Sequence, residues 1–296
     1  FIKRRVIRLH PMVVMGAVIG AVMFYFQGCP VWDVTKVTVA ALLLATFVNA
    51  LLIPATPGTE IRGLGEMYPL NGPSWSLFFE YIGNILYALI IRKFSTKALA
   101  VLVVAAGCGL AAFSIFGPYG DICAGFSLTG TEFTGGFFRL LYAFSAGLLL
   151  SRVFKPARVR GAFWKCSLLV IILLAVPRLG GADRLWMNGL YDTVCFALFF
   201  PLIVYWGASG KITDRYTNRV CKFLGDISYP LYMVHYPFIY LYYGWVKNEE
   251  LTFGESLPGA LAVVVGSILL AYICLKLYDE PVRRYLANRF LKSKKR

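Results

Sequence analysis

Three arginines stand close together at the start of the chain. Arg4, Arg5 and Arg8 lie within residues 1–11, and Arg5 and Arg8 are three positions apart, so a helix presents them on one face. The planar guanidinium group of arginine binds two phosphate oxygens at once. A short basic segment beside an apolar run also sets the topology of membrane helices, a role that needs charge but no particular spacing. The segment therefore predicts either a site for an anionic ligand or a topology anchor.

A second group of polar residues surrounds the start of an apolar run. Trp75 and Ser76 follow the sequence Asn-Gly-Pro-Ser, which is typical of a helix start, and Glu80 falls one to two turns further on. A carboxylate inside a membrane helix is costly, so Glu80 is expected to face the protein interior and to be paired or protonated. Arg139 begins another apolar run and is the expected partner. The sequence therefore predicts either a structural ion pair or a functional acid at Glu80.

A third group forms one stripe of a helix near the end of the chain. Ser228, Tyr232 and His235 recur at i, i+4 and i+7 within residues 224–237, and Tyr229 lies beside them. Histidine titrates near neutral pH and serves as a catalytic base in many enzymes. A single histidine among tyrosines is more often a hydrogen-bonded structural residue. The stripe therefore makes His235 either a candidate for catalysis or part of a structural motif.

Composition limits the class of protein. Of the 296 residues, 58% are hydrophobic and 15% are charged, whereas about 25% are charged in a soluble domain. The apolar runs are roughly 16 to 22 residues long, near the ~20 that cross a hydrocarbon core, and they do not alternate as barrel strands do. The net charge of +15 lies in short loops, and no basic helix or aromatic platform indicates nucleic acid. No Cys-x-x-Cys pair, His/Cys cluster or phosphate-binding loop predicts a metal or nucleotide site.

Nine apolar runs must position these residues: 11–27, 34–53, 75–91, 98–115, 136–150, 164–176, 188–207, 227–244 and 256–278. The N-terminal segment, the loops after the third, fifth and seventh runs, and the tail hold most of the 30 Lys and Arg residues but only four of the 15 acidic residues. That asymmetry predicts that they are cytoplasmic. Loop 54–73 must then be outside, so one of the first two runs does not cross. Run 34–53 has prolines on both flanks, and we expect it to be re-entrant or interfacial, which leaves eight crossings.

Together these motifs resemble the acyltransferase 3 family, membrane O-acyltransferases that modify bacterial surface carbohydrates. The resemblance rests on three motifs in order: Arg-Arg-x-x-Arg-Leu-x-Pro at 4–11, Trp-Ser-Leu-x-x-Glu at 75–80, and Leu-Gly-x-x-Ser-Tyr-Pro-Leu-Tyr-x-x-His-x-Pro at 224–237. The segments Arg139-x-x-x-x-Phe144-x-x-Gly147 and Glu280-Pro281 are also similar. The resemblance implies an acyltransferase 3 transmembrane domain over 1–285, followed by a basic cytoplasmic tail at 286–296.

The family resemblance implies a bundle of ten transmembrane helices with both termini in the cytoplasm. Eight crossings in this chain then leave two helices upstream of Phe1. In the family, the first of these helices carries a histidine that is regarded as catalytic, and His10 does not occupy its position. The chain is therefore expected to be N-terminally truncated and to lack that histidine.

The resemblance also implies an activity and a set of site residues. The enzyme would move an acyl group from cytoplasmic acyl-CoA, with acetyl-CoA as the expected donor, to a hydroxyl of an extracytoplasmic carbohydrate such as lipopolysaccharide O-antigen or exopolysaccharide. The acyl-CoA phosphates would meet Arg4, Arg5 and Arg8. The acceptor pocket would contain Trp75, Ser76, Glu80 and Arg139. The catalytic candidates within this chain are Glu80 and His235, and the structural motif comprises Ser228, Tyr229, Tyr232 and His235.

The expected surroundings are the lipid bilayer of the bacterial inner membrane, with several passes, a cytoplasmic C-terminus and no bound cofactor. A different class of protein fits the same features. A transporter or flippase for a lipid-linked sugar or an anionic solute would use the same arginines and intramembrane acid without acyl chemistry. Incorporation of labelled acyl groups into polysaccharide separates the two functions.

Overall fold

The computed structural model describes residues 1–56, 60–212 and 214–291, and within these ranges there is no β-strand. The all-α prediction is therefore confirmed. The helices are α1 (Ile2–Phe24), α2 (Val39–Ala50), α3 (Ser74–Leu89), α4 (Thr96–Phe116), α5 (Gly130–Val153), α6 (Ala162–Ala175), α7 (Leu185–Val194), α8 (Phe200–Ser209), α9 (Arg215–Asn248), α10 (Phe253–Cys274) and α11 (Glu280–Phe290). A π-helical turn, Cys195–Phe199, joins α7 to α8, and another, Leu275–Asp279, joins α10 to α11.

Helix length and composition make the chain a multi-pass membrane protein. The stretches long and apolar enough to cross a bilayer, among the described residues, are α1, α4, α5, Leu185–Ser209 and Phe253–Phe290. Helix α2 is apolar but has only 12 residues, which rise about 18 Å against about 30 Å of hydrocarbon core. A helix of that length does not reach across the bilayer. This agrees with the prediction that run 34–53 is re-entrant or interfacial. The number of eight crossings stays a prediction.

Topology can be tested with introduced cysteines, because the seven native cysteines are free thiols and their removal breaks no disulfide. Loop 117–136, like loop 54–73, is predicted to lie outside the membrane. We therefore expect cysteines at Leu64 and Tyr119, both exposed, to react with a membrane-impermeant thiol reagent added outside the cell. A cysteine at Lys155, in the basic loop 152–165, is expected to react only after the membrane is opened. Labelling of position 155 from outside would contradict the charge-derived topology.

The chain folds into two compact units. The first comprises Phe1–Tyr81, Phe126–Leu128 and Phe223–Arg296, and the second comprises Ile82–Gly125 and Thr129–Lys222. Helices α3 and α9 contribute residues to both units. The boundary between a domain at 1–285 and a tail at 286–296 stays a prediction: residues 286–290 continue α11, and 292–296 lie outside the described residues.

Helix α1 forms the centre of the first unit. Its side chains Met12, Val13 and Phe24 are fully buried. Phe24 packs with Leu42 of α2 and with Leu70 of the loop before α3. Thr38 begins α2 because its hydroxyl accepts a hydrogen bond from the Ala41 N–H at 3.2 Å, a typical N-cap. The short helix α2 and the loop before α3 are thereby packed against the last turns of α1.

In the second unit, α4 packs against α5 and α7. The π-helical turn Cys195–Phe199 precedes Pro201, which has no N–H to offer the Phe196 carbonyl five residues earlier. The Tyr142 hydroxyl of α5 donates to that carbonyl instead, at 2.9 Å. This bond satisfies a backbone group that the proline leaves open, and it fixes α5 to the junction between α7 and α8.

Candidate functional site

The three sequence motifs lie in the first unit, on α1, at the start of α3 and on α9. Beyond the first motif, α1 comes close to the segment before α3 and to α9 at Gly16. A Cβ atom at Gly16 would lie 2.5 Å from the Asn71 Nδ2 atom and 2.7 Å from the Met233 carbonyl oxygen. Only a glycine allows α1 to come this close to the other two segments. We call this meeting point, formed by Gly16, Asn71 and Met233, the motif junction.

A proline in α9 explains the hydrogen bonds at the motif junction. Pro237 has no N–H for the Met233 carbonyl four residues earlier. The buried amide of Asn71 takes its place and donates from Nδ2 to that carbonyl at 2.9 Å. The buried Gln27 Nε2 donates to the Pro237 carbonyl, also at 2.9 Å. The Asn71 side chain thus satisfies the broken turn of α9. The two amides together tie the start of α3 and the segment after α1 to α9.

The second and third motifs are joined by a pair of hydroxyls. The Ser76 Oγ and Tyr232 Oη atoms are 2.5 Å apart. Both also approach the Pro73 carbonyl oxygen, at 3.0 Å from Ser76 and 3.2 Å from Tyr232. Gly72 lies against the Tyr236 ring, where a Cβ atom would come within 2.8 Å of a ring carbon. The start of α3 and the tyrosine stripe of α9 are therefore one hydrogen-bonded structure.

The remaining residues of the structural motif behave differently from one another. The Tyr229 hydroxyl donates to the Leu9 carbonyl of α1 at 2.5 Å, immediately after the arginine segment. Ser228 is exposed, and its hydroxyl donates to the Gly225 carbonyl within α9 at 2.9 Å. Tyr229 and Tyr232 thus connect helices, while the hydroxyl of Ser228 bonds within its own helix.

The orientation of His235 follows from its backbone contacts. Its Nδ1 atom lies 3.1 and 3.0 Å from two carbonyl oxygens in the preceding turn of α9. Because a carbonyl oxygen can only accept, Nδ1 carries the proton of the neutral ring and Nε2 is the basic nitrogen. The ring lies 6.0 Å from the Tyr232 ring and 5.8 Å from the Tyr236 ring. His235 therefore stands on α9 beside the hydroxyl pair, with a defined tautomer.

Glu80 lies half-buried on α3, about two turns after the helix start. Its carboxylate is close enough to the Tyr81 and Tyr229 hydroxyls to interact with them electrostatically. Arg139 belongs to the second unit, where its Nη1 donates to the Ala124 carbonyl at 2.9 Å. The pairing of Glu80 with Arg139 stays a prediction.

Trp75 is half-buried at the first turn of α3. Its ring packs edge to face against Phe79, with centroids 6.0 Å apart, and against Phe126, at 5.2 Å. These contacts hold the indole in one orientation. A fixed, half-exposed indole ring is the kind of surface on which the apolar face of a sugar ring can stack.

The three N-terminal arginines occupy the first turns of α1. Arg4 and Arg8 are exposed, and Arg5 is half-buried with its guanidinium carbon 5.5 Å from the centre of the Phe1 ring. The eight residues from Arg8 to Gly16 correspond to about 12 Å along the helix. The side chains of Arg4 and Arg8 are accessible, and Arg8 lies about two helical turns from the motif junction.

Sequence analysis missed an arginine in the loop before α3. Arg62 is only 2% exposed. Its Nε donates to the Pro69 carbonyl at 2.9 Å, and its Nη2 donates to Gln27 Oε1 at 3.0 Å. Its guanidinium carbon also lies over three aromatic rings, at 3.6 Å from the centre of Tyr240, 4.8 Å from Trp32 and 5.1 Å from Phe24. We call this arrangement the Arg62 cage.

Glu66 borders the Arg62 cage and was also missed. Its Oε2 accepts a short hydrogen bond from the Tyr240 hydroxyl. Burial raises the pKa of Glu66 to about 7, although the Tyr240 bond and the charge of Arg62 act in the opposite direction. Arg62 and Glu66 stand four residues apart in a loop that matches no motif, so the sequence gives no signal for either residue.

We expect Glu66 to make stability depend on pH. Because its pKa is raised from 4.5 to about 7 in the folded protein, its stabilising contribution is complete below pH 4.5 and is lost as the pH rises through about 7. The groups facing it are Tyr240 of α9 and, from its own loop, Arg62 and Glu60. Thermal unfolding of the wild type and of Glu66→Gln, a permanently neutral analogue, tests this expectation. As the pH rises from 4.5 to about 7, the thermal midpoint of the variant should increase relative to that of the wild type. Parallel profiles of midpoint against pH would show the expectation to be wrong.

Comparison with known proteins adds one finding. The model of the acyltransferase 3 family, described as an acyltransferase domain, matches residues 1–276 of the 296-residue chain. The matched range includes all three motifs and the motif junction. No curated protein and no solved structure matches the chain.

Proposed function

Because the chain belongs to the acyltransferase 3 family, we propose that it moves an acyl group from cytoplasmic acyl-CoA to a hydroxyl of an extracytoplasmic carbohydrate. The coarse activity, that of a membrane acyltransferase, follows from the family itself. Acetyl-CoA as donor, a lipopolysaccharide O-antigen or exopolysaccharide as acceptor, and an inner-membrane location with a cytoplasmic C-terminus are the finer parts of the proposal. The observation that carries the proposal is the motif junction. There the helix that bears the arginines meets α9, which carries His235, and the segment that leads into α3, which carries Glu80.

The donor is proposed to bind at the start of α1. Coenzyme A carries several phosphate groups, and each charge-assisted bond from a guanidinium to a phosphate is stronger than a neutral hydrogen bond. Arg5 and Arg8 share one face of the helix, and Arg4 and Arg8 are exposed. The positive charge in the cytoplasmic loops supports the same side of the membrane for the donor.

The acceptor is proposed to bind beside the start of α3. In the reaction, the acceptor oxygen forms a bond to the acyl carbonyl carbon and the carbon–sulfur bond to coenzyme A breaks. The acceptor proton moves to a base, and the departing thiolate takes up a proton. His235 Nε2 is one candidate for that base and Glu80 is another. Trp75 supplies an apolar surface for a sugar ring.

An acyl-transfer assay tests the proposal. Membranes that contain the protein are incubated with radiolabelled acetyl-CoA and with the surface polysaccharide of the host, and membranes without the protein serve as the control. We expect label in the polysaccharide that mild base releases, as it releases an O-acetyl ester. Movement of a lipid-linked sugar across the membrane with no label in polysaccharide would overturn the proposal in favour of a transporter or flippase.

A further inference from the structure

A groove of about 370 Å³ lies in the second unit, along α5 and beside the π-helical turn Cys195–Phe199. Its walls are mostly aliphatic and aromatic side chains. Among the described residues that line it, Arg139 is the only charged one. Apart from Arg139, which the family resemblance places in the acceptor pocket, no residue that lines the groove has a part in the proposed acyl transfer.

The side of α5 that faces the groove is built from small residues. Ala143 and Gly147 follow Arg139 at intervals of four, and Leu150 lies three residues further on, so all four share one face of the helix. A Cβ atom placed at Gly147 would have no other atom within 4 Å. The groove is therefore open along this face, and a larger side chain at Gly147 would project into it without a backbone clash.

The length of the groove fits one hydrocarbon chain. Arg139 and Leu150 are about 16 Å apart along the axis of α5, which is about half of the 30 Å hydrocarbon core and so about the depth of one leaflet. The hydroxyl of Tyr142, a polar group in the wall, already donates to the Phe196 carbonyl at 2.9 Å. The wall thus offers a chain of methylene groups mainly apolar contacts.

The positive charge of Arg139 at one end of the groove favours a lipid with an anionic headgroup. Arg139 Nη1 donates to the Ala124 carbonyl at 2.9 Å, which fixes the guanidinium at one end of the groove. The Asp192 carboxylate accepts a bond from the Ile122 N–H at 3.1 Å and also interacts electrostatically with Arg139, although Asp192 does not line the groove. A guanidinium in a low-dielectric setting binds phosphate through a planar pair of N–H groups.

We propose that this groove binds one acyl chain of an anionic phospholipid from the surrounding bilayer, with the lipid phosphate on Arg139 and the chain along Gly147 towards Leu150. The proposal needs only the membrane location of the chain and does not depend on the acyltransferase chemistry. An uncharged groove of this shape would hold any lipid chain, so the specific claim is the preference for an anionic headgroup.

Purified, delipidated protein tests the proposal with two lipids that have the same acyl chains, phosphatidylglycerol and phosphatidylcholine. We expect phosphatidylglycerol to raise the thermal midpoint of the wild type more than phosphatidylcholine does. Native mass spectrometry should retain one phosphatidylglycerol per chain. In Gly147→Leu, which fills the groove, most of the extra shift and the retained lipid should be lost. In Arg139→Gln, the preference between the two lipids should disappear.

Gly207→Leu is the matched control, because Gly207 lies in α8 with equally open space around a Cβ atom and does not line this groove. It should keep the wild-type preference. If Gly147→Leu does not fold, the smaller Gly147→Val variant makes the same comparison. An unchanged preference in the Gly147 variants, or equal stabilisation of the wild type by both lipids, would overturn the proposal.

Discussion

Replacing Arg62 by methionine is expected to lower the free energy of unfolding by about 2–6 kcal/mol, because two buried hydrogen-bond acceptors lose their donor. The substitution removes the hydrogen bonds to the Pro69 carbonyl and to Gln27 Oε1. Both acceptors are buried, and a buried polar group left without its partner costs about 1–3 kcal/mol. The contacts of the guanidinium with three aromatic rings are lost as well. Chemical unfolding in detergent, followed by tryptophan fluorescence, measures the change.

Two further variants show whether the effect belongs to the cage. Arg62→Lys keeps the charge but not the planar fork, so we expect it to recover only part of the lost stability. Arg178→Met is the matched control, because Arg178 is 61% exposed and forms an ion pair with Asp121 at 3.0 Å. An exposed pair of this kind contributes at most about 1 kcal/mol. A loss in Arg62→Met no larger than that in Arg178→Met would show that the cage is not a structural element.

Much of the helical architecture could be predicted from apolar runs and capping residues. The run 98–115 corresponds closely to α4, Thr96–Phe116, because Ser95 caps it by accepting the Ala98 N–H at 3.1 Å. The run 227–244 underestimates α9, which begins at Arg215. The first turns of α9 carry charged residues at positions 215, 219 and 222, so hydropathy marks only the apolar part of a longer helix. Hydropathy therefore locates spans better than it locates helix ends.

The two internal prolines of α9 show where local rules stop being sufficient. Pro230 and Pro237 each remove a backbone donor, so a helix that runs through them leaves two carbonyls without a local partner. The helix continues through Pro237 because Asn71, 162 residues away from Met233, donates to the carbonyl that the proline leaves open. Such a partner is fixed by the tertiary fold, and no local pattern indicates it.

The same limit applies to the candidate site. Spacing correctly groups residues within one helix, such as Arg5 with Arg8, because the helical repeat alone decides it. Spacing does not show that Ser76 meets Tyr232 at 2.5 Å, since the two residues lie on different helices. It also gives no sign of the Arg62 cage, whose members come from α1, from α9 and from two loops. Contacts between segments, rather than the segments themselves, are what the structure adds.

Arginines 5 and 8 give the prediction with the largest expected effect on activity. In the protein that shows acyl transfer, Arg5→Ala or Arg8→Ala is expected to weaken the use of acyl-CoA by roughly tenfold to over a hundredfold, since one charge-assisted contact is worth about 1.5–3 kcal/mol. The loss should appear in KM for acyl-CoA while the amount of protein in the membrane stays unchanged. Arg289→Ala, a single basic residue in the last turn of α11, is the matched control and should leave KM unaltered.

Lysine at the same positions separates a phosphate site from a topology anchor. An anchor needs positive charge alone, so Arg5→Lys and Arg8→Lys would then restore activity completely. A bidentate phosphate site needs the planar fork, so lysine should restore it only in part. Higher salt should weaken acyl-CoA binding further in the lysine variants, since a solvent-exposed contact between two charges is screened. Complete rescue by lysine, together with unchanged thiol labelling at positions 64 and 155, would assign the arginines to topology and move the donor site elsewhere.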